Sequence, residues 1–386
     1  MDHFMHKYNQ TRLFVASCTS LVLTAMTFAI RVRLETVFGP TGLGLSLEQI
    51  GYAFMPAFWG FTLAIILGGQ LVDSIGMKKG MWLAFCFHTI GIILTLTAYD
   101  FSSLFVATVV MGLGNGMVEA ACNPLVASMY PHDKTKMLNR FHLWWPAGIV
   151  IGSLIGLILM DVLSLSWQLM VSTLFIPLAL YGYLLIGQNF PLTERVTLGI
   201  NQVDAYKSLA RPLFLFIAFC MLLSATTELG TTQRIESLLK ETGVNGLLVL
   251  AFINGIMIIG RAFAGPIAAK IKTTGMLFIS SLFAFTGLQL MANSSGAFVF
   301  VAASVFAVGI TFFWPTTLAF ISENIPESGA FGMALIGGLG MLSVSLMLPL
   351  MGRFLDNSVG AEVIQKMSIL PFILIFLYGG LYLKKR

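Results

Sequence analysis

The sequence predicts an all-α integral membrane protein with about twelve transmembrane helices, arranged as two pseudo-symmetric six-helix bundles. Three observations lead to this prediction. Of the 386 residues, 57% are hydrophobic and only 10% are charged, whereas a water-soluble domain carries about 25% charged residues. The apolar residues form long uninterrupted runs, and the second half of the chain repeats features of the first half.

Each predicted span is an apolar run of about 20 residues, the length that crosses a ~30 Å hydrocarbon core. The first six spans are expected at about 12–34, 49–71, 80–98, 102–128, 138–160 and 165–187. Six more are expected at about 212–233, 245–269, 274–292, 297–321, 330–351 and 367–383. The predicted domains are therefore an N-terminal bundle (1–187), a central linker on the cytoplasmic side (188–211) and a C-terminal bundle (212–386).

The basic residues predict the orientation of the chain. Most of the 22 Lys and Arg residues fall on the face that includes both termini, and cytoplasmic loops are the ones enriched in Lys and Arg. We therefore expect both termini in the cytoplasm and the chain in a bacterial inner membrane. The net charge of +5 follows from this bias and gives no reason to expect nucleic acid as a partner.

An internal repeat relates the two halves. The stretch GLGNGMVEAACNPLVASMYP (112–131) matches AVGITFFWPTTLAFISENIP (307–326) in one Gly and one final Pro at a single common offset. A second pair, GGQLVDSIGMKKG (68–80) and FAGPIAAKIKTTG (263–275), agrees to within one residue. Repeats of this type place a binding site near the midplane, between two bundles that rock to give alternating access.

These motifs resemble a known family. GGQLVDSIGMKKG is similar to the loop signature between spans two and three of the major facilitator superfamily. The span-four stretch with Glu119 and Asn123-Pro124, followed by NRFHLWWPAG, resembles the branch of fucose/glucose–proton symporters. The chain departs from that branch in span one, where FAIRVRLE has Arg31 and Arg33, with Glu35 only at its edge. The resemblance implies a transporter without a cofactor, working as a monomer.

Glu119 is the main candidate for proton coupling and substrate binding. It lies near the middle of span four, and an ionised group there costs at least ~2.5–3.5 kcal/mol, so it usually faces a cavity or a partner. Asn115 and Asn123 are four residues away on either side and share its helix face. The alternative is a structural carboxylate that locks spans together.

Two tryptophans are the predicted aromatic side of the site. The repeat pairs Glu119 with Trp314, which would then face it across a central cavity. An acid on one side and an aromatic ring on the other suit a sugar, which has polar edges and an apolar face. Trp145 is the second aromatic candidate for this cavity. For Trp314, simple packing within the bundle is the alternative.

Further candidates lie within other spans. Glu228 in span seven either contacts a sugar, or acts in gating, or simply lies at the solvated end of its helix. Arg31 in span one either forms an ion pair, binds a substrate carboxylate or extends to the interface. The mid-span amides Asn254 and Gln289 are additional candidates for substrate contact.

Four residues are expected to act in gating. The resemblance implies that Asp73, with Lys78 and Lys79, forms a charge latch between the bundles. Arg261 lies near the cytoplasmic end of span eight, where we expect it to cap or gate and not to bind substrate.

The function predicted from these residues is proton-coupled uptake of a sugar or polyol by alternating access. The sequence contains no nucleotide loop, no His/Cys metal cluster and no nucleophile flanked by a base, so no enzyme activity and no cofactor are expected. The four cysteines are interpreted as core residues. The alternative function is an organic anion or drug transporter, either uniporter or proton antiporter, in which Arg31 binds the anion.

Overall fold

A computed structural model of the chain describes residues 8–130, 134–192, 207–325 and 328–385, which include twelve long helices. The first six are α1 (Gln10–Phe38), α2 (Leu47–Phe54 and Pro56–Ile75), α3 (Met77–Leu96), α4 (Phe101–Met129), α5 (Lys134–His142, Trp144–Gly156 and a π-helical end, Leu157–Val162) and α6 (Trp167–Ser172 and Phe175–Leu185). The second six are α7 (Pro212–Ala225, π-helical Thr226–Gly230 and Thr231–Gln233), α8 (Gly246–Ala262), α9 (Ala264–Ala292), α10 (Phe298–Ile310 and Phe313–Asn324), α11 (Gly329–Asn357) and α12 (Gly360–Lys385). The described residues form no strand.

The prediction of a multi-pass membrane protein is confirmed by these helices. Within the described residues, 11 helical segments are long and apolar enough to cross a membrane, and α8 is a shorter apolar helix. The predicted span 245–269 is interrupted at Phe263, where the backbone leaves helical geometry (φ −99°, ψ 7°). The chain then continues as the first turns of α9 up to Lys272, which is the true break between spans eight and nine.

The internal repeat is visible in the backbone. Tyr130 ends α4 with φ −129° and ψ 63°, and Ile325 ends the second segment of α10 with φ −139° and ψ 59°. Gly76 and Lys272, which separate spans two and three and spans eight and nine, both have positive φ, at 88° and 56°. Equivalent positions therefore adopt the same unusual conformations in both halves.

The two halves meet along two pairs of helices, α2 with α11 and α5 with α8. Glycines permit close approach: a Cβ on Gly51 of α2 would lie 2.5 Å from the Cα of Pro349 in α11. Within the N-terminal half, Gly148 and Gly152 of α5 pack against Ala25 and Ala29 of α1. Residues of α1, α5, α7 and α8 line a cavity between the halves.

Ion pairs join the halves at the end of the bundle opposite the chain termini. Arg234 pairs with Glu35 at 2.7 Å and Arg33 pairs with Glu236, both across the halves, while Arg33 also pairs with Asp161 of its own half. Hydrogen bonds also join the halves from this opposite end down to the level of Thr62, which donates to the carbonyl of Gly338 at 2.8 Å. The opposite end is therefore closed.

The cysteines and the central linker differ in how far the structure agrees with the sequence. Cys18, Cys122 and Cys220 are buried as expected, but Cys86 is exposed on α3, so it is not a core residue. Most of the predicted linker 188–211 lies outside the described residues, and the domain boundaries stay a prediction.

Candidate functional site

Glu119 begins a chain of hydrogen bonds in the N-terminal half. Its Oε2 accepts a hydrogen bond from Asn123 Nδ2 at 2.7 Å. The Oδ1 of Asn123 in turn lies 3.0 Å from Nε2 of His142 on α5, and since an amide oxygen only accepts, His142 donates. Pro124 follows in the same helix and lacks an N–H, which leaves the carbonyl of Ala120 without its usual partner in α4.

Asn115 lies on the same helix but has different neighbours. It is fully buried, its Nδ2 donates to Thr27 Oγ1 at 3.0 Å, and its Oδ1 accepts from His88 Nε2 at 2.9 Å. Tyr181 lies 3.1 Å from the other ring nitrogen of His88. This network ties α4 to α1, α3 and α6, so we assign Asn115 to the interior of the bundle and leave it out of the proposed binding site.

Glu228 and Arg261 are neighbours in the C-terminal half, although the sequence interpretation placed them towards opposite sides of the membrane. Arg261 Nη2 lies 3.7 Å from Glu228 Oε1, and Arg261 Nε donates to the carbonyl of Thr311. Side chains lean towards the N-terminus of their helix, and α7 and α8 are antiparallel, so the two side chains lean towards each other. Arg261 lies in the last turn of α8, and the expectation that it caps or gates stays a prediction.

A small cavity lies beside this pair, between the two halves. Three predicted residues line it, namely Trp145, Glu228 and Asn254, together with Phe28 and Gln233. Its volume is about 10 Å³, room for about one water molecule. Within the described structure, Glu228 Oε2 is buried and has no hydrogen-bond partner. Glu228 also lies in a π-helical turn, a distortion that is frequent at functional sites.

Arg31 lies at the edge of the same cavity. Its guanidinium carbon lies 4.5 Å from the ring centroid of Phe28 and 5.2 Å from that of Phe58, and its Nη1 donates to Gln233 Oε1 at 3.1 Å. No carboxylate of the described chain lies within 4.0 Å of it. The side chain is only 5% exposed, so the prediction that it extends to the interface is wrong. It is a buried cation held by aromatic rings.

A line of polar groups connects the two halves. His142 on α5 interacts electrostatically with both Glu119 and Arg261. This line comprises Glu119, Asn123 and His142, which are joined by hydrogen bonds, and the pair of Arg261 and Glu228, which lies near enough for the charge of Arg261 to act on His142. It contains one buried carboxylate from each half.

The remaining candidates are less central. Trp314 packs over Gly337 and Gly340 of α11 and is partly exposed. Gln289 donates to Ser368 Oγ at 2.8 Å, which joins α9 to α12 away from the contacts between the halves. Lys78 and Lys79 are exposed at the start of α3. The side chain of Asp73 lies outside the described residues, so the predicted latch stays a prediction.

His88 and His142 connect the polar groups of the N-terminal half, and neither was among the predicted site residues. The imidazole ring is the sequence signal that could have found them, because it both donates and accepts hydrogen bonds and is expensive to bury alone. Gln233, which bridges Arg31 and the carbonyl of Phe28, was not among the predicted site residues either.

Comparison with known proteins gives the family. The model of the Major Facilitator Superfamily matches residues 11–348. The chain belongs to this superfamily. Its members are transporters and not enzymes, in agreement with the prediction that the chain catalyses no reaction.

Two curated relatives from Bacillus subtilis (strain 168) cover most of the chain. An uncharacterized MFS-type transporter, YttB, is 22% identical over 369 residues, which are 92% of this chain and 90% of the relative. A hexuronate transporter is 23% identical over 336 residues, 79% of each chain.

Solved structures share the fold. The crystal structure of a D-xylose–proton symporter superposes with a TM-score of 0.76 at 15% identity, covering 95% of this chain and 97% of the symporter. The nucleoside transporter NupG superposes with a TM-score of 0.70 at 16% identity, covering 96% of this chain and 98% of that structure. At these identities the likeness shows the fold of a superfamily transporter, and the substrates of these neighbours differ among themselves.

Proposed function

We propose that the chain is a secondary active transporter that takes up a sugar or polyol together with protons, by alternating access in a bacterial inner membrane. The observation that carries this proposal is the polar line from Glu119 to Glu228. A transporter that couples proton movement to solute movement needs groups that exchange protons inside the membrane and that touch the solute site. Glu119, Asn123 and His142 supply such a chain in one half.

The residues that line the cavity between the halves suit a ring-shaped polar solute. In the arrangement described, the cavity holds about one water molecule, so the halves must move apart before such a solute can bind between them. Trp145 and Phe28 offer aromatic faces, whereas Asn254, Gln233 and Glu228 offer hydrogen-bonding groups. Binding sites of this kind are mostly apolar with a few placed polar groups. The free oxygen of Glu228 then has a hydroxyl of the solute as its partner.

The closed opposite end supports alternating access. A solute that enters the space between the halves from the periplasm requires this end to open, and the ion pairs that close it are the contacts that must break. We place proton coupling on Glu119: when its carboxyl group is neutral, moving the loaded site through an occluded state costs less, because no net charge is left buried.

Uptake into proteoliposomes tests this proposal. With an imposed pH gradient, a panel of labelled hexoses, pentoses and polyols is expected to include a solute that the protein accumulates. Glu119→Gln is expected to abolish accumulation and retain exchange of that solute. Glu362→Gln changes an exposed carboxylate and serves as the control. Unchanged accumulation in Glu119→Gln would refute the coupling role.

One observation favours a second candidate, transport of an organic anion. Arg31 is buried without a carboxylate partner in the described chain, and a guanidinium held by rings is suited to bidentate contact with a substrate carboxylate. The similarity to a relative named a hexuronate transporter agrees with a carboxylate-bearing solute.

Thermal-shift measurements distinguish the two candidates. Hexoses and hexuronates are added to the purified protein, to Arg31→Gln and to the control Arg353→Gln, which changes an exposed arginine. Stabilisation by hexuronates alone, lost only in Arg31→Gln, would favour the anion. Stabilisation by hexoses that survives in Arg31→Gln would favour the neutral sugar.

A further inference from the structure

A groove of about 650 Å³ lies on the N-terminal half, away from the space between the halves. α1 forms its floor, and α5 and α6 form its walls. Its rims carry large exposed apolar side chains, among them Trp144 (40% exposed), Ile176 (71%) and Leu180 (48%). In a chain that spans a membrane, such surfaces face lipid.

The groove has a polar end and an apolar body. Thr11, Tyr130 and Arg140 lie at the end near the chain termini, where the bilayer has its headgroups. From there as far as Met26 and Ile155 the lining is mostly apolar, and its two threonines, Thr19 and Thr173, donate their hydroxyls to backbone carbonyls of their own helices. Fifteen residues of α1 separate Thr11 from Met26, a rise of about 22 Å at ~1.5 Å per residue. One leaflet of the hydrocarbon core is about 15 Å thick, so the groove is long enough for an acyl chain.

The groove does not lead into the space between the halves. Gly148 and Gly152 of α5 lie so close to α1 that a Cβ on either would come within 3.0 Å of Ala25 or Ala29. A solute in the central cavity and a molecule in the groove are thus separated by packed helices. The groove is a site of its own.

Arg140 gives the polar end its charge. It is exposed, and no carboxylate in the described part of the chain lies within 4.0 Å of its guanidinium. A cation without a carboxylate partner among the described residues, at headgroup level above an apolar groove, is complementary to one molecule of the bilayer, a phospholipid with an anionic headgroup.

We propose that this groove binds an anionic diacyl phospholipid from the leaflet on the side of the chain termini. Arg140 binds the phosphate-bearing headgroup, and one acyl chain lies along α1 between α5 and α6. One basic residue near a membrane surface contributes about 1 kcal/mol of attraction to anionic lipid, which corresponds to a preference of about fivefold.

Native mass spectrometry of the purified full chain tests this site, with dioleoyl phosphatidylglycerol and dioleoyl phosphatidylcholine as probes. The protein is expected to retain phosphatidylglycerol about fivefold better, and Arg140→Gln is expected to lose this preference. Arg140→Lys keeps the charge and should keep the preference. Lys78→Gln removes an exposed cation outside the groove and should also keep it.

A groove-filling variant gives a second measurement. Thr19 lies on the floor, and Thr19→Trp is expected to reduce the retention of both lipids. A preference for phosphatidylglycerol that survives in Arg140→Gln would overturn the headgroup assignment. Unchanged retention in Thr19→Trp would overturn the groove itself. Both measurements report lipid binding and not transport, so they stand apart from the proposed function.

Discussion

Arg234 and Glu35 form an ion pair between the two halves, with Arg234 Nη1 2.7 Å from Glu35 Oε2 and both side chains almost fully buried. The second terminal nitrogen of Arg234 donates to the carbonyls of Leu47 and Leu348, one in each half. A buried pair adds little net stability over apolar packing, but removing one partner leaves an uncompensated buried charge. The pair therefore favours one arrangement of the halves, the one closed at the end opposite the termini.

We predict that Glu35→Gln opens this end. The variant leaves the Arg234 charge without its carboxylate, which costs about 3–5 kcal/mol in the closed arrangement and nothing once water enters. Spin labels on cysteines at Leu43 and Lys240, one in each half, are expected to move apart in pulsed electron paramagnetic resonance, in a background where Cys86 is replaced. Glu241→Gln, an exposed carboxylate at the same end, is the control, and equal distances in both variants would contradict the prediction.

A second prediction concerns the close contact of α2 and α11. Gly51→Ala places a Cβ 2.5 Å from the Cα of Pro349, a backbone atom that moves only with its helix. We expect the same lengthening of the Leu43–Lys240 label distance as for Glu35→Gln. The matched control is Gly255→Ala, since a Cβ there meets nothing within 4 Å. Replacing glycine by alanine within a helix otherwise stabilises it by roughly 0.5–1 kcal/mol. A longer label distance in Gly51→Ala but not in Gly255→Ala is therefore caused by the close contact of α2 and α11.

The spans could be predicted from the sequence because their cause is local. A run of about 20 apolar residues is dictated by the bilayer itself, and no knowledge of neighbouring helices is needed. The repeat could also be detected in the sequence, because it includes positions such as Gly76 and Lys272 where the chain must turn between spans. The interruption at Phe263 was not predicted.

The partners of the polar groups could not be predicted. Glu35 and Arg234 are 199 positions apart. Arg234 comes directly after the predicted span 212–233, yet it is only 1% exposed. The spacing of Asn115 and Glu119 places them on one face of α4, but the side chain of Asn115 is hydrogen-bonded to His88 of α3. Periodicity identifies a face of a helix, and only the packing of the helices decides what that face contacts.

Lys272 provides a third prediction, on stability. It has φ 56° and ψ 167°, a region that is essentially restricted to glycine and costs about 1–3 kcal/mol for other residues. Lys272→Gly should raise the midpoint of thermal unfolding, because the entropic cost of glycine, about 0.5–1 kcal/mol, only partly offsets the relief of strain. Lys270→Gly is the control and should lower the midpoint, since Lys270 is exposed and precedes the break. A lower midpoint in both variants would contradict the prediction.

The last prediction concerns the coupling of Glu228 and Arg261. If the pair acts as a unit beside the solute site, Glu228→Gln leaves the Arg261 cation unpaired, and Arg261→Gln leaves the carboxylate unpaired. Each single variant is expected to reduce transport more than about tenfold, a loss of at least ~1.4 kcal/mol. In the double variant neither charge is left alone, so its loss should be smaller than the sum by about 0.5–3 kcal/mol, the range for residues in contact.

The control cycle pairs Glu228→Gln with Arg353→Gln, an exposed arginine at the opposite end, and its effects should add. Additive losses in the Glu228–Arg261 cycle would mean that the two groups act separately despite the 3.7 Å between their charged atoms. A non-additive cycle with normal solute binding but no accumulation would instead place the pair in proton transfer. In that case the relay from Glu119 through His142 extends into the second half, because the charge of Arg261 acts on His142.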